Sequence, residues 1–494
     1  MEAEIELKLF FPEKEREALI SLLDSLPHSE TKGSKHLTNS YFDTQALQLR
    51  KWDMGLRIRG CDGHFEQTIK TAGTVIGGVH SRPEYNVDID QAKVNLALFP
   101  DTIWPDSADL AKVGNELHCL FDTDFTRQTW HIYIEESLVE VALDIGSISA
   151  NGLSEPICEL EFELLAGETQ ALLSLGERVT AQIPARLGQA SKAQRGYRLA
   201  AMSSPLQLEA LTFIQLGEVK DLKQAFIALL STGLERWQGL EAMLLDASLE
   251  QQPLLSYRLR SCIRLLRCSL SQFNLLTPQL EDEFAGLEGY LDFVEQGQSL
   301  VQVLQDDELQ GADLPDAKAE GLIELARQRL DSLNMPKAID AMLQDIRYGH
   351  LQLTLVKLLF QCRAGKLNLT KQQDLQQFAD EMQEASWLRI VKLMPSEVAL
   401  SSEDYQQFAK ALDESILVGM AYGELYSSKS RDQFRAPWQD LILGIRTLAA
   451  YRLLRQLDGS DKALQLWLDN MEQSLLFAME HTRRSALKAQ PYWR

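Results

Sequence analysis

The sequence lacks several features that mark secreted, membrane-spanning and zinc-finger proteins. Its six cysteines form no CxxC pair and show no metal-finger spacing, so we expect reduced thiols rather than disulfides or a zinc site. No apolar run reaches about 18 residues, the approximate minimum for a membrane-spanning helix. The first residues lack the basic and apolar regions of a signal peptide. These absences predict a soluble cytoplasmic protein without a membrane partner.

Positive charge is also scarce in this chain. Lys and Arg together number 49 against 71 Asp and Glu, which gives a net charge of −22. Because such a field repels a polyanion, the composition argues against nucleic-acid binding. The 494 residues are 45% hydrophobic and 24% charged, as is ordinary for a globular protein. The length predicts two or three domains, each with its own core.

Charged and aliphatic residues alternate in those N-terminal segments that are typical of β-strands. In the stretch Glu4-Ile5-Glu6-Leu7-Lys8, an extended strand places two carboxylates and one lysine on the same face. An ordinary antiparallel sheet also alternates, with its polar face toward water. The polar positions here are strongly ionic, which a water-facing sheet does not require. Similar alternation recurs at 56–59, 65–70, 80–86, 127–134, 139–145 and 158–164.

The charged positions also divide by sign between the strands. Glu predominates at 4–6 and 159–163, whereas Arg and Lys predominate at 57–59, 70 and 127. We therefore predict a closed barrel whose interior places the two sets face to face, with helices 13–26 and 169–182 covering its aliphatic outer face. Clustered carboxylates suit Mg²⁺ or Mn²⁺, and arginines and lysines suit phosphate oxygens. The pattern predicts a site for a metal-bound phosphate chain, and chemistry by positioning and charge neutralisation.

The opening stretch matches the ExExK signature of the CYTH superfamily, the triphosphate tunnel metalloenzymes, and roughly residues 1–202 resemble this family. The resemblance implies an α+β fold that begins with an eight-stranded antiparallel β-barrel tunnel and its covering helices. Among family members the chain looks most like the bacterial inorganic triphosphatases, which hydrolyse tripolyphosphate to pyrophosphate and phosphate. Further segments follow in the family's order: Tyr41–Thr44, Leu56–Arg59, Thr68–Lys70, Arg82–Glu84, Phe125–Arg127, Leu143–Asp144, Glu159–Glu161 and Lys192–Tyr197.

The resemblance also implies roles for individual residues. A bound Mg²⁺ or Mn²⁺ is expected, with tripolyphosphate as the partner molecule. Lys8, Arg59 and Lys70 are the expected catalytic residues, and Arg82, Glu84 and Asp144 are expected to support the site. The expected metal ligands are Glu4, Glu6, Glu159, Glu161 and Glu163. The expected phosphate contacts are Lys8, Arg57, Arg59, Lys70, Arg127 and Lys192. Since all of these residues lie in 1–202, we expect that fragment to be active alone.

The strand pattern stops near residue 203, and apolar residues then recur at three- and four-residue steps, as in an all-helical bundle. This spacing predicts, for example, a single helix over 336–362. Arg260, Arg264 and Arg267 fall on one helical face, and they match the arginine-rich motif of the CHAD domain, a helical bundle associated with polyphosphate. The match is partial, because Tyr257 and Leu265 stand where the pattern has His and Arg. The resemblance is therefore to a degenerate CHAD domain with weak polyphosphate binding.

The predicted domain organisation is a CYTH domain at 1–202, a linker at 203–219 and a CHAD-like helical domain at 220–494. Metal-dependent inorganic triphosphatase is the leading functional hypothesis. Two alternatives stay open from the sequence. One is an adenylate cyclase, or a thiamine or nucleoside triphosphatase, of the same fold, and the other is a non-enzymatic polyphosphate-binding protein.

Overall fold

The computed structural model of the chain describes residues 4–26, 29–203, 206–207, 209–216, 218–219, 221–305, 316–367, 369, 373–458 and 461–494. Within the predicted linker 203–219, residues 204, 205, 208 and 217 lie outside the described residues. The chain divides into two compact units. The first consists of residues 1–205 and 343–360, and the second of residues 206–342 and 361–494.

The first unit is built on one antiparallel sheet, which has eleven strands among the described residues. The strands are β1 (Glu4–Phe10), β2 (Ser29–Asp43), β3 (Gly55–Cys61), β4 (His64–Lys70), β5 (Thr74–Ile76), β6 (Val79–Arg82), β7 (Glu84–Ile89), β8 (His118–Ile134), β9 (Ser137–Ala150), β10 (Leu153–Ala166) and β11 (Arg186–Leu187). The helices of this part of the chain are α1 (Arg16–Ser25), α2 (Gln48–Lys51), α3 (Leu110–Glu116), α4 (Gln170–Thr180) and α5 (Lys192–Leu199).

One segment of the chain joins the two edges of this sheet. Its first part, β6, pairs with β1, and its second part, β7, pairs with β4. Pro83 lies between them, and a residue without an N–H group suits a point where a strand changes its partner. With β6 and β7 counted as one strand, eight strands follow one another around the sheet in the order β1, β10, β9, β8, β2, β3, β4 and β6–β7. The predicted eight-stranded antiparallel tunnel is confirmed.

The outer face of the curled sheet is apolar and packs against helices. Leu7 of β1 and Phe162 of β10 are fully buried there. Helix α4 contacts β1, β9 and β10 and buries Leu172, Leu173 and Leu175, while α1 contacts β2. Burial of one such side chain stabilises the fold by about 1.5–3 kcal/mol. The predicted covering helices at 13–26 and 169–182 are thus confirmed.

A helix from late in the sequence, Ile346–Arg363, completes the packing of the first unit. Gly176 of α4 lies so close to it that a Cβ atom at this glycine would come within 3.0 Å of Leu353. Lys357 donates to the Glu177 carboxylate at 2.5 Å, and the Gln352 side chain accepts from the Leu187 N–H at 3.2 Å. No pattern in the sequence indicates that residues 343–360 group with residues 1–205.

The late helix leads us to predict that fragment 1–202 is unstable even though it holds every predicted site residue. Without residues 343–360, the contact surface of α4 and β11 is exposed, and the burial of Leu353 and Val356 is lost. Each of these buried side chains contributes about 1.5–3 kcal/mol. We expect fragment 1–202 to melt at a lower temperature than the same fragment joined to residues 343–360 by a flexible linker. Equal melting temperatures for the two fragments would contradict this prediction.

The second unit is helical. Among the described helices of the whole chain, none has the length and apolar composition that crossing a bilayer needs. The predicted helix over 336–362 is instead two helices, which meet at Gln344 and Asp345. The helices after residue 220 are Leu222–Leu245, Gln252–Gln272, Pro278–Gly289, Val294–Gln305, Asp316–Ser332, Met335–Leu343, Ile346–Arg363, Leu375–Leu393, Ser402–Tyr422, Ser428–Leu457 and Lys462–Lys488.

The predicted basic face on the helix Gln252–Gln272 is neutralised by carboxylates. Arg260 pairs with Glu295 at 2.5 Å, and Arg264 pairs with Glu288 at 2.9 Å. Arg267 has two carboxylate partners, Glu281 at 2.9 Å and Glu414 at 3.0 Å. Guanidinium groups that are already paired have little capacity left for the oxygens of a phosphate chain.

These ion pairs lead us to predict weak or absent binding of long-chain polyphosphate through this face. Binding would have to break three or more ion pairs. A titration without metal can test whether polyphosphate binds. Calorimetric titration of the full chain with polyphosphate, compared with a triple variant carrying Ala at 260, 264 and 267, measures the contribution. Submicromolar binding that weakens in the triple variant would overturn the prediction.

Candidate active site

The sheet surrounds a cavity of about 830 Å³ whose wall is made of charged side chains. Because alternate residues of each strand point inward, the charged positions of separate strands meet there. Asp144 and Glu159 have no exposed area and lie behind this wall. The predicted site residues that line the cavity are Glu4, Glu6, Lys8, Arg57, Arg59, Lys70, Arg82, Glu84, Arg127, Glu161, Glu163 and Lys192.

Three carboxylates form a row across β1, β10 and β9. Glu6 is opposite Glu163, Glu163 is opposite Glu140, and all three line the cavity. Burial and the charge of Glu140 raise the pKa of Glu163. Like charges directly opposite each other destabilise a sheet. His131 lies 2.9 Å from Glu140, and a cation bound beside Glu6 and Glu163 would offset the remaining repulsion.

Glu161 lies among three cationic side chains. Its carboxylate is 2.8 Å from Lys8 Nζ, 3.0 Å from Lys192 Nζ and 2.6 Å from Arg127 Nη2. Burial alone would raise the pKa of Glu161, but these charges hold it well below its usual value. Glu161 is therefore ionised and links the acidic and basic parts of the wall.

Asp144 and Glu159 hold the basic side chains from behind. Asp144 receives two hydrogen bonds from Arg127, at 2.7 and 2.6 Å, and pairs with Lys192 at 2.8 Å. Glu159 pairs with Lys192 at 2.7 Å and with Arg195 at 2.6 Å. Lys192 and Arg195 both belong to helix α5, whose first turn is fixed by the Ser191 capping box. The two acids thus set the positions of Arg127 and Lys192.

Lys70 bridges two carboxylates where the ends of the sheet meet. Its Nζ is 2.6 Å from both Glu4 and Glu84, and Glu84 also pairs with Arg57 at 3.2 Å. Burial, together with Glu84, raises the pKa of Glu4 to about 8. Burial also acts to raise the pKa of Glu84, but Glu4, Arg57 and Lys70 lower it. The two carboxylates therefore form a coupled pair that holds one proton more readily than an isolated carboxylate does.

Arg57, Arg59 and Arg127 lie near one another on the basic side of the cavity. Arg57 and burial lower the pKa of Arg59 to about 10, with a further contribution from Arg127. Arg59 donates to Asn39 at 3.0 Å. Among the described residues, the buried Nε atoms of Arg57 and Arg82 have no hydrogen-bond partner. Mutually repelling guanidinium groups with unused donors are suited to an anion with many oxygens.

Within the described residues, one group of three carboxylates has oxygens close enough together to hold a metal ion. The oxygens of Asp144, Glu159 and Glu161 come within 4.8 Å of one another, but nearby lysines and arginines already neutralise them. In contrast, within the described part of the chain, Glu6 and Glu163 take part in no ion pair. The donor chemistry of Glu6 and its neighbours therefore fits a hard divalent cation better than that of Asp144, Glu159 and Glu161.

The sequence reasoning missed three residues of this site. Arg195 falls three positions after Lys192 on a predicted helix, a spacing that places both on one face. Glu140 lies in an alternating strand segment, and only its pairing opposite Glu163 shows its relevance. Asn39 donates to Thr123 at 2.9 Å and thereby orients its oxygen toward Arg59. No sequence pattern distinguishes this buried asparagine.

Comparison with known proteins supports an assignment for the N-terminal part. Residues 2–197 match the model of the CYTH domain. A curated relative, the inorganic triphosphatase of Haemophilus influenzae, is 38% identical over 168 residues, which are 33% of this chain. The aligned region spans about half, 46%, of that protein's length.

Two solved structures are each similar to part of this chain. A CHAD domain from the plant Ricinus communis is 19% identical, with a TM-score of 0.41, and the match covers 58% of this chain and 96% of that one. A Hippeastrum protein with a dominant triphosphatase activity is 23% identical, with a TM-score of 0.32, and the match covers 42% of this chain and 100% of that one. The family match of residues 2–197, together with the tunnel described above, shows that the N-terminal part of the chain is a CYTH domain.

Proposed function

We propose that the first unit is a metal-dependent inorganic triphosphatase that hydrolyses tripolyphosphate to pyrophosphate and phosphate. The observation that carries this proposal is the division of one cavity wall by charge. Arg57 and Arg59 of β3 lie on one side, and the carboxylate row of β1, β10 and β9 lies on the other. A linear chain of phosphates with bound metal would complement both sides at once. The relative from Haemophilus influenzae, an inorganic triphosphatase, supports the same reaction.

The basic wall would hold the phosphate chain. Arg57, Arg59 and Arg127 would donate to its non-bridging oxygens, and Lys8, Lys70 and Lys192 would add compact positive charge. Asp144 and Glu159 would act as positioning residues, because they contact Arg127 and Lys192 from the side away from the cavity. Positioning and charge neutralisation are the main requirements of phosphoryl transfer.

Glu4, Glu6 and Glu163, with Glu161 beside them, would hold Mg²⁺ or Mn²⁺. The bound metal would neutralise charge on phosphate oxygens and help to activate water. Glu4 would have to lose its proton before binding a cation, since its pKa is raised to about 8. Lys70, which contacts both Glu4 and Glu84, would then be held between the metal site and the phosphate chain.

We extend the proposal to the cell compartment and to the domain boundaries. We place the reaction in the cytoplasm, where six free cysteines stay reduced. We assign residues 220–494 as a degenerate CHAD-like domain, 203–219 as a linker and 1–202 as the tunnel domain. The structure adds residues 343–360 to the tunnel unit.

A substrate screen tests the proposed reaction. Phosphate release is measured from tripolyphosphate, ATP and thiamine triphosphate, each with Mg²⁺, with Mn²⁺ and with a chelator. We expect tripolyphosphate to have the highest kcat/KM and the chelator to abolish turnover. Faster hydrolysis of ATP or thiamine triphosphate would replace the proposed substrate, and absence of all three activities would refute the proposed enzyme.

We predict that Glu6→Gln raises the metal concentration needed for half-maximal activity by about tenfold or more, since loss of one charged ligand interaction is of this size. The substitution keeps the shape of the side chain but removes one negative charge from the acidic row. Excess Mn²⁺ should restore part of the rate. Exposed Glu17 provides the matched control, because Glu17→Gln makes the same change outside the cavity. A metal requirement that is unchanged in Glu6→Gln would exclude Glu6 as a ligand.

A further inference from the structure

The helical unit contains a second cavity, of about 550 Å³. Its wall is formed by the helices Gln252–Gln272, Val294–Gln305, Asp316–Ser332, Ser402–Tyr422 and Ser428–Leu457. The volume falls in the range of about 300–1,000 Å³ that is usual for small-molecule sites. All of the lining residues belong to the second unit, so the cavity is separate from the tunnel.

The wall of this cavity carries more positive than negative charge. Four arginines, Arg260, Arg329, Arg446 and Arg452, line it together with two carboxylates, Glu295 and Asp413. These six side chains carry a net charge of +2, whereas the whole chain has a net charge of −22. A local excess of this sign attracts anions.

The four arginines differ in their partners, and among the described residues Arg260 alone of the four pairs with a carboxylate, that of Glu295. Among the described residues, the buried Nε of Arg260 has no hydrogen-bond partner. Arg329, Arg446 and Arg452 form no ion pair within the described part of the chain. With the Gln296 amide oriented to accept, Arg329 donates to its oxygen through Nε at 2.9 Å and Nη2 at 3.1 Å, and Arg452 donates to Gln406. The guanidinium of Arg446 lies over the Tyr257 ring, with its Cζ 4.4 Å from the ring centroid. A guanidinium without a carboxylate partner can donate two parallel hydrogen bonds to a phosphate or carboxylate.

The rest of the wall is suited to an uncharged, apolar part of a ligand. Ile442, Ile445, Ala449 and Leu453 line one side, and their burial against a ligand would be favourable. Gln296, Gln298, Gln406 and Gln456 supply amide groups around this surface. A phosphate or carboxylate would satisfy the arginines, but it would leave the apolar side and the amides uncovered.

We propose that this cavity binds a compact organic dianion, in which phosphate or carboxylate groups adjoin a planar or apolar body. The anionic end would contact Arg329 and Arg446, and the body would lie against Ile442, Ile445 and Leu453. Glu295 and Asp413 would repel additional negative charges, so the cavity favours a ligand with few charges over a long polyanion.

Calorimetric titration of the metal-free full chain tests the proposal with two probes. AMP carries its negative charge on a phosphate, and isophthalate carries its charge on two carboxylates beside an aromatic ring. We expect at least one of them to bind more tightly than inorganic phosphate, which lacks a body, and than adenosine, which lacks a charge. The probe that binds more tightly shows whether the cavity prefers a phosphate or a carboxylate group.

Two substitutions on one helix provide the residue-level test. Arg329 lines the cavity, whereas Arg327 is 56% exposed and does not. Arg329→Gln should weaken binding of the better probe by about tenfold, the effect of losing one charge-assisted hydrogen bond. Arg327→Gln should leave its Kd within about twofold, as surface charges contribute little. Equal weakening by both variants would show a general charge effect and overturn the site.

The tunnel is a second place where an organic phosphate can bind, and Arg59→Ala separates the two. Binding in the helical cavity should be unchanged in this variant, because Arg59 belongs to the other unit. Loss of AMP or isophthalate binding in Arg59→Ala would assign that binding to the tunnel and overturn the proposal. Failure of both probes to bind the unmodified chain at millimolar concentrations would also overturn it, as would tighter binding of long-chain polyphosphate.

Discussion

Replacing Arg59 by alanine is expected to lower kcat for tripolyphosphate hydrolysis by about a hundred- to a thousandfold, which corresponds to about 2.7–4 kcal/mol. Arg59 lines the cavity, and within the part of the chain that the structure describes its guanidinium donates one hydrogen bond, to Asn39. The remaining donors of the guanidinium are therefore available for phosphate oxygens that gain charge during the reaction. A metal ion on the acidic side cannot occupy the same position, so excess Mn²⁺ should not restore the rate.

The same substitution is expected to stabilise the protein when no anion is bound. Arg57 lowers the pKa of Arg59 to about 10 because the two positive charges repel each other. Removing one of them should raise the melting temperature. Lys70→Ala should also lower kcat, but it should decrease the melting temperature, since Lys70 pairs with Glu4 and Glu84 at 2.6 Å.

Activity assays and melting curves of both variants measure these opposite effects. Exposed Arg16 and Lys51 provide the controls, and Arg16→Ala and Lys51→Ala should change neither quantity appreciably. If Arg59→Ala were destabilised as much as Lys70→Ala, the idea that the arginines repel one another would be wrong. If its kcat were close to that of the unmodified protein, Arg59 would have no part in the reaction.

A second large effect is expected from Asp144→Asn, which should lower the free energy of unfolding of the tunnel unit by about 3–5 kcal/mol, as is usual when one partner of a buried ion pair is removed. Asp144 has no exposed area and contacts both Arg127 and Lys192. Its replacement leaves these two cations less compensated. Because they face the cavity, the rate should fall as well.

The destabilisation should depend on pH in a defined direction. Burial acts to raise the pKa of Asp144, but Arg127 and Lys192 lower it below its ordinary value. A carboxylate whose pKa is lowered by folding stabilises the protein above its unfolded pKa of about 4, and this stabilisation is lost as pH falls through the folded pKa. The difference between the unmodified protein and Asp144→Asn should therefore be largest near neutral pH and shrink in acid.

Hydrogen exchange of the β9 and β10 amides reports on the tunnel unit without interference from the helical unit. Exposed Asp106 provides the control, because Asp106→Asn makes the same chemical change without a described ion pair. A stability difference that stays constant from neutral pH to pH values below about 4 would contradict the assigned ionisation of Asp144.

Strand periodicity predicted the inward-facing charges because the side-chain period of a strand is fixed by backbone geometry. Glu6, Lys8 and Arg59 all line the cavity as expected. The alternation of side chains does not indicate whether an inward-facing side chain reaches the cavity or is covered by another element. Glu159 and Glu161 share a strand face, yet Glu161 reaches the cavity, while Arg195 and Lys192 cover Glu159. That difference depends on where helix α5 packs, which no local pattern encodes.

The single helix expected over 336–362 shows a second limit of sequence reasoning. Apolar spacing continues across residues 344 and 345, but the chain starts a new helix there. The Asp345 carboxylate accepts a hydrogen bond from the Arg347 N–H at 2.8 Å, as capping residues do at helix starts. Asp345 is a helix-start signal in the sequence, but the apolar spacing continues across it and therefore predicts one helix.

The helix Ile346–Arg363 has a consequence for the order in which the protein is made. Residues up to 205 leave the ribosome well before residue 360, and the interval of 155 residues corresponds to about 8–30 s at the usual rates of synthesis. During that time the nascent tunnel presents the bare surface of α4 around Gly176. An apolar surface on a growing chain is a binding site for chaperones and for other nascent chains. The first unit is therefore complete only after about half of the helical unit has been translated.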